Sequence, residues 1–161
     1  MKAIYAGTFD PPHRGHLDVI RRGLTVVDEL LVAVAINHEK RTLFSEAERI
    51  ALLQKCLGGE PRVRVLALEG LVVELARREQ VQFLLRGVRT VADFESESSM
   101  ALANRQISGE PGIETVFLLP AAELSHVSST RVKEIARFGG DVHSLLPAAI
   151  AREVVERLRA R

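Results

Sequence analysis

The chain has 161 residues, 47% hydrophobic and 27% charged, the proportions of a globular protein with a substantial core. Its net charge of +1 excludes recognition of DNA or a membrane surface through bulk charge. Cys56 is the only cysteine, so no internal disulfide forms, and the first residues, MKAIYAGTFD, lack the apolar stretch of a signal peptide. The longest apolar run, Leu30 to Ile36, is too short to span a bilayer. The expectation is a single domain over 1–161, cytoplasmic, binding neither nucleic acid nor membrane.

In chain order, Lys2 to Ala6 reads as a strand and His16 to Val27 as a helix with Leu17, Ile20 and Leu24 on one face. Leu30 to Ile36 is continuously apolar, the pattern of a strand buried on both faces. A polar loop, Asn37 to Phe44, follows. Ser45 and Glu48 form a capping-box pair that opens a helix through Leu57, ended by Gly58-Gly59. Val63 to Leu68 is a third strand, Leu71 to Glu79 a helix, and Gln82 to Leu85 a short strand leading into Arg86-Gly87. Asp93 is placed to cap a helix through about Ile107. Glu110 to Gly112 is a turn, and Thr115 to Leu119 a fifth strand. Ser128 or Ser129 caps a helix to Phe138, broken by Gly139-Gly140, and Pro147 begins a last amphipathic helix. Alternation of this kind predicts a five-stranded parallel sheet with helices on both faces. In such sheets ligands bind at the carboxyl ends of the strands.

The polar signals fall mostly at those ends. After the first strand comes GTFDPPHRGH, Gly7 to His16; after the second, His38, Lys40 and Arg41; after the fourth, Arg86, Gly87 and Arg89; after the fifth, Ser125 to Thr130, with Arg131 and Lys133 beyond. A near-neutral chain that gathers cations, hydroxyls and helix N-termini on one edge is suited to a polyanionic small molecule. His16 lies in the first helical turn, where the dipole already favours an anion and an imidazole can donate to phosphate. His13 lies mid-loop and reads as a plain polar loop residue. The pair His13-x-x-His16 has no further Cys or His to complete a zinc site. Neither G-x-x-x-x-G-K-[ST] nor G-x-G-x-x-G occurs, and no Ser/His/Asp set is legible, so a P-loop, a dinucleotide fingerprint and a covalent mechanism are not expected.

GTFDPPHRGH resembles the T/HxGH motif of the nucleotidyltransferase superfamily, read with Thr8 and His16 in the motif positions, and Ser128-Ser129-Thr130 resembles its second motif. LLRGVRTVADFESE (84–97), MALANRQ (100–106) and HVSSTRVKEIARFGGDV (126–142) narrow the resemblance to the bacterial phosphopantetheine adenylyltransferase family. The sequence departs from that family in having Ala6 where proline is usual, and Ser96 and Leu124 where aromatic residues are common. The Pro11-Pro12-His13-Arg14 interior also looks like nicotinate mononucleotide adenylyltransferase, a sister enzyme, but the RGVRTVADFE segment argues against it.

The resemblance implies a Rossmann-like doubly wound α/β fold, Mg²⁺ as cofactor and a homohexamer. It also implies the reaction of ATP with 4′-phosphopantetheine, giving dephospho-CoA and pyrophosphate by direct in-line attack without a covalent intermediate. By that resemblance His16, Thr8, Lys40 and Arg86 are catalytic. Thr8, Phe9, His16, Gly87, Val88, Arg89, Glu97 and Leu124 to Thr130 (Leu124, Ser125, His126, Val127, Ser128, Ser129, Thr130) contact ATP. Thr8, Lys40, Val72, Arg86 and Asn104 contact the acceptor. No metal ligand is identified.

Overall fold

A computed structural model describes residues 1–36 and 41–160. Five strands form one parallel sheet: β1 (Lys2–Gly7), β2 (Glu29–Ala35), β3 (Val63–Leu68), β4 (Phe83–Gly87) and β5 (Glu114–Leu118), in the order β3-β2-β1-β4-β5. The helices are α1 (Arg14–Gly23), α2 (Glu46–Leu57), α3 (Val72–Arg78), α4 (Val91–Ser108), α5 (Ser129–Arg137) and α6 (Ala148–Arg159), with short 3₁₀ turns at Ala122–Leu124 and His143–Leu145. The fold is the Rossmann-like α/β arrangement expected from the alternation of apolar runs. No described helix is long and apolar enough to cross a membrane.

Side chains alternate across the strands and so feed two cores. Ala3, Tyr5, Leu30, Val32, Val34 and Leu85 meet α1 and α2 through Leu17, Val19, Ile20 and Leu53. Ile4, Leu31, Ala33 and Leu84 meet Val73, Leu75 and Ala76 of α3 on the other face. A third cluster, Leu52 of α2 with Val132 of α5 and Ile150, Val154 and Val155 of α6, docks the C-terminal helices behind α2. The strand order reverses between β1 and β4. That switch point opens a crevice at the carboxyl ends of two central strands.

Several boundaries differ from expectation. α1 begins two residues early, because His13 rather than a later residue is its N-cap, and it ends at Gly23. Thr90, not Asp93, caps α4: its hydroxyl accepts from the Asp93 N–H, while the Asp93 carboxylate takes the Arg89 guanidinium. β4 runs on through Arg86 and Gly87, so the arginine leaves the sheet as a strand residue rather than from a loop. The capping box of Ser45 and Glu48, the left-handed Gly58 after α2 and the Ser128 cap of α5 are as read.

Gly23 shows how closely α1 rides on the sheet. A Cβ there lies 2.8 Å from Leu85 Cδ1, and Leu85 is fully buried. Glycine to alanine in a helix ordinarily stabilises by ~0.5–1 kcal/mol. Overpacking against a fixed core neighbour costs about 1–3 kcal/mol and outweighs it. Gly23→Ala is therefore expected to lower the unfolding free energy in urea; an unchanged or raised midpoint shows that Leu85 turns aside.

Candidate active site

The first loop is shaped from below. Phe9 adopts a left-handed φ of 51°, which folds its ring back under Gly7, where a Cβ is left only 3.0 Å from the ring. The ring is buried, edge-on to Tyr5 (5.4 Å between centroids) and to His16 (4.8 Å). Any contact Phe9 makes with a ligand therefore falls to its main chain. Asp10, also buried, accepts from the N–H groups of Leu43 (2.8 Å) and Phe44 (2.9 Å) and pairs with Lys133 Nζ at 3.1 Å. Arg49 donates to the carbonyls of Thr8 (2.6 Å) and Ala35 (3.0 Å), and Ser129 Oγ donates to the Pro11 carbonyl at 2.9 Å.

Above this base His13 and His16 cap α1 reciprocally. The His13 N–H donates to His16 Nδ1 (3.2 Å), the His16 N–H donates to His13 Nδ1 (3.4 Å), and the rings stack with centroids 3.6 Å apart. An Nδ1 that accepts a backbone N–H leaves the proton on Nε2, so each neutral ring offers one Nε2–H donor. Burial holds the pKa of His16 well below its ordinary value, helped by the neighbouring His13, Arg89 and Arg86. Burial, then the charge of Arg89, pushes that of His13 down to about 3.

Two cavities flank the end of β1. One, ≈ 90 Å³, is lined by Tyr5, His13, Gly15, His16, Gly87 and Arg89, with Val19, Pro120, Leu124 and Val127. The other, ≈ 300 Å³, lies on the α3–α4 face; Arg86 and Glu97 line it with Val72, Met100 and Asn104. Arg86 grips Glu97 through two bonds (2.5 and 2.6 Å) and donates to the Ala6 carbonyl at 2.6 Å. Burial opposes its charge, but the Glu97 pair outweighs that and raises the guanidinium above its usual value. Arg89 pairs with Asp93 and donates to the Val127 carbonyl at 3.0 Å. A larger hollow, ≈ 890 Å³, opens between α1 and the start of α6 and shares Leu124 with the smaller cavity.

Residues 4–135 match the cytidylyltransferase-like family. The chain is 44% identical to a Flavobacterium johnsoniae protein named phosphopantetheine adenylyltransferase, over 92% of this chain and 96% of that one. Proteins of the same name from Sodalis glossinidius (45% identity, 98% and 97% covered) and Thermotoga neapolitana (44%, 99% and 98%) align along almost their whole length. The chain belongs to the phosphopantetheine adenylyltransferase family. A crystal structure assigned as a nicotinate-nucleotide adenylyltransferase from Vibrio parahaemolyticus superposes with a TM-score of 0.68 over 97% of this chain and 94% of the other; at 17% identity it shows the shared fold.

Within this family member the residues expected at the site divide between the two cavities. His16, Gly87, Arg89, Leu124 and Val127 meet in the smaller one; Val72, Arg86 and Asn104 meet in the larger. Glu97, expected to contact the nucleotide, lies with Arg86 in the larger cavity. Val88 is buried and donates its N–H to the Leu118 carbonyl. Ser128 caps α5, Ser125 Oγ turns back to the Ala122 carbonyl, and His126 and Thr130 are exposed. Thr8 leads off the end of β1, and Lys40 lies outside the described residues. The motif register also changes: one residue separates the first member of T/HxGH from Gly-His, so it is His13-Arg14-Gly15-His16, and Thr8 stands ahead of it. His13 is a buried helix cap against His16 and not a mid-loop polar residue.

The two histidines make stability depend on pH. Above pH 6.5 both are neutral whether the chain is folded or not. Below it the unfolded chain binds protons that the folded chain refuses, so stability present above pH 6.5 is lost as pH falls. Each histidine contributes at most ~1.4 kcal/mol per pH unit. The unfolding free energy from urea titrations is expected to drop by about 2 kcal/mol or more from pH 7 to pH 5, with a smaller drop in His13→Gln. An equal free energy at the two pH values contradicts the neutral pair.

Proposed function

We propose that this chain transfers the adenylyl group of ATP to the phosphate of 4′-phosphopantetheine, giving dephospho-CoA and pyrophosphate. The observation that carries the reading is the pair of cavities on the two sides of β1, one lined by Tyr5 and the other by Ile4 and Ala6. The smaller, at ≈ 90 Å³ room for part of a nucleotide, joins imidazole and guanidinium donors to an apolar wall, which suits a phosphate group of ATP. The larger joins Arg86 at one end to an apolar passage and the buried Asn104 amide, which suits an anion on an amide-bearing arm.

The nucleophile is the acceptor's phosphate. A phosphate monoester is largely dianionic near neutral pH and needs no general base. The obstacle is repulsion between two anions, so positioning and charge stabilisation supply the catalysis. In this reading the His16 Nε2–H donates to the α-phosphate as charge develops there. Thr8 and Lys40 hold the reacting phosphates together. Arg86, braced by Glu97 and the Ala6 carbonyl, binds the acceptor phosphate with its remaining N–H groups. Arg89 and the first turn of α5, with Ser129 and Thr130, face the β- and γ-phosphates.

Among the described residues no group of three His, Cys, Asp or Glu can hold a metal. Asp10, Asp93 and Glu97 are each engaged by a cation. Those three carboxylates are therefore already taken up by protein cations. The ion is proposed to arrive on the oxygens of the triphosphate, the usual preference of Mg²⁺, and no step above is routed through it.

The proposed setting is the cytoplasm and the proposed assembly a homohexamer. The support for the assembly is α4, whose one buried residue is Asn104 and which exposes Val91, Phe94, Met100, Leu102 and Ile107, more apolar surface than a solvated helix normally presents.

The acceptor assay tests the reaction. Incubated with ATP and magnesium, the protein is expected to release pyrophosphate with 4′-phosphopantetheine and not with nicotinate mononucleotide; the reverse preference overturns the assignment. His16→Ala is expected to lower turnover by roughly two orders of magnitude or more, as for loss of a preorganised donor, with its circular dichroism spectrum intact. Near-normal turnover removes His16 from the mechanism.

A further inference from the structure

Tyr5 stands in the middle of β1 with its ring in the core, packed edge-on against Phe9 and 6.4 Å from the His16 ring between centroids. The residue is only 7% exposed. Its hydroxyl has no hydrogen-bond partner among the described residues, and its oxygen is not sealed in the core: the buried atoms closed off without a partner are Arg49 Nε and Thr115 Oγ1. What remains uncovered faces the smaller cavity, which Tyr5 lines below Gly15, His16, Gly87 and Arg89. A phenylalanine fills the same core volume without the unpaired oxygen, so packing alone gives no reason for the hydroxyl.

We infer that Tyr5 is a nucleotide-binding residue, its hydroxyl donating a hydrogen bond to an oxygen of the nucleotide held on the floor of the smaller cavity, beside the His16 donor. The inference rests on the reading of that cavity as the nucleotide site. The phenol acts as a donor and not as a base, since burial raises its pKa beyond the ordinary tyrosine value even with Arg86 and Arg89 nearby. The role suits its neighbours: His16 and Tyr5 each carry one neutral donor, and Arg89 brings the charge. Its position on a central strand, paired with β2 and β4, fixes the donor more firmly than a loop residue could.

The test is Tyr5→Phe, which removes one oxygen and leaves the ring. ATP affinity is measured by isothermal titration calorimetry on wild type and variant, with KM for both substrates and the thermal midpoint alongside. A net hydrogen bond of ordinary strength corresponds to a loss of about fivefold. The expected result is ATP Kd and KM raised by about that factor, phosphopantetheine KM within about twofold, and a midpoint unchanged or slightly higher. Equal ATP affinity in the two proteins overturns the inference. Parallel weakening of both substrates also overturns it, because that marks a general loosening of the loop. If wild type itself fails to bind ATP, the nucleotide reading of the cavity falls first, and the two failures are told apart.

Discussion

The carboxylate of Asp10 binds three otherwise separate pieces of chain: the loop after β1, the Leu43-Phe44 turn before α2, and Lys133 on α5. A buried carboxylate is costly unless fully partnered. Here two backbone N–H groups and one ammonium satisfy it, and the same bonds draw the three segments to one point. Arg49 does the complementary work with a buried cation, taking the Thr8 and Ala35 carbonyls from beneath. Behind the turn, Arg157 of α6 stacks on the Phe44 ring at 4.8 Å and pairs with Glu48. The C-terminal helix thus supports the first loop through two layers of contact. A site built on a loop gains the precision of the sheet and helices only when braced in this way.

The cations at the switch point are not loose. Arg86 and Arg89 each hold a carboxylate and a backbone carbonyl, so each guanidinium is oriented before a ligand arrives. A guanidinium has five N–H donors, and these contacts leave some of them for phosphate. The histidines between them behave in the opposite way. Crowded by burial and by Arg89, with Arg86 acting on His16 as well, they stay neutral and offer directed Nε2–H groups. The site therefore combines fixed positive charge with uncharged donors. It avoids the repulsion that charged imidazoles would add to two guanidinium groups in a confined space.

Much of the fold was legible because its signals are local. The apolar runs, the Ser45–Glu48 pair and Gly58 each report on a few neighbouring residues. The errors have equally local causes. Asp93 resembles a cap, but Thr90 three residues earlier has the same competence and leaves Asp93 free for Arg89. The site was readable as a set of strand ends, and not as a partition. Glu97 meets Arg86 across a turn and the start of a helix, a pairing that spacing does not reveal. His13 was missed because helix caps are sought among Ser, Thr, Asp and Asn. Its three-residue separation from His16 is nonetheless the spacing of a capping box, with histidines in both places. The burial of Arg49 and the unpaired hydroxyl of Tyr5 are tertiary facts, set by which face of the helix or strand meets the core.

The partition itself explains why the loop must turn so sharply. Along β1, Tyr5 points to the α1 face, and Ile4 and Ala6 point to the α3 face, so the two cavities are walled apart by the sheet wherever the strand continues. Groups bound in them can meet only where the strand stops, at Gly7 and Thr8. Gly7 has no Cβ there, and that leaves room for Phe9 to fold back to within 3.0 Å of where one would stand. A side chain at residue 7 would press on the Phe9 ring, which in turn supports His16. The close approach of two phosphates proposed for this enzyme and the position of its imidazole donor therefore depend on the same bare stretch of main chain.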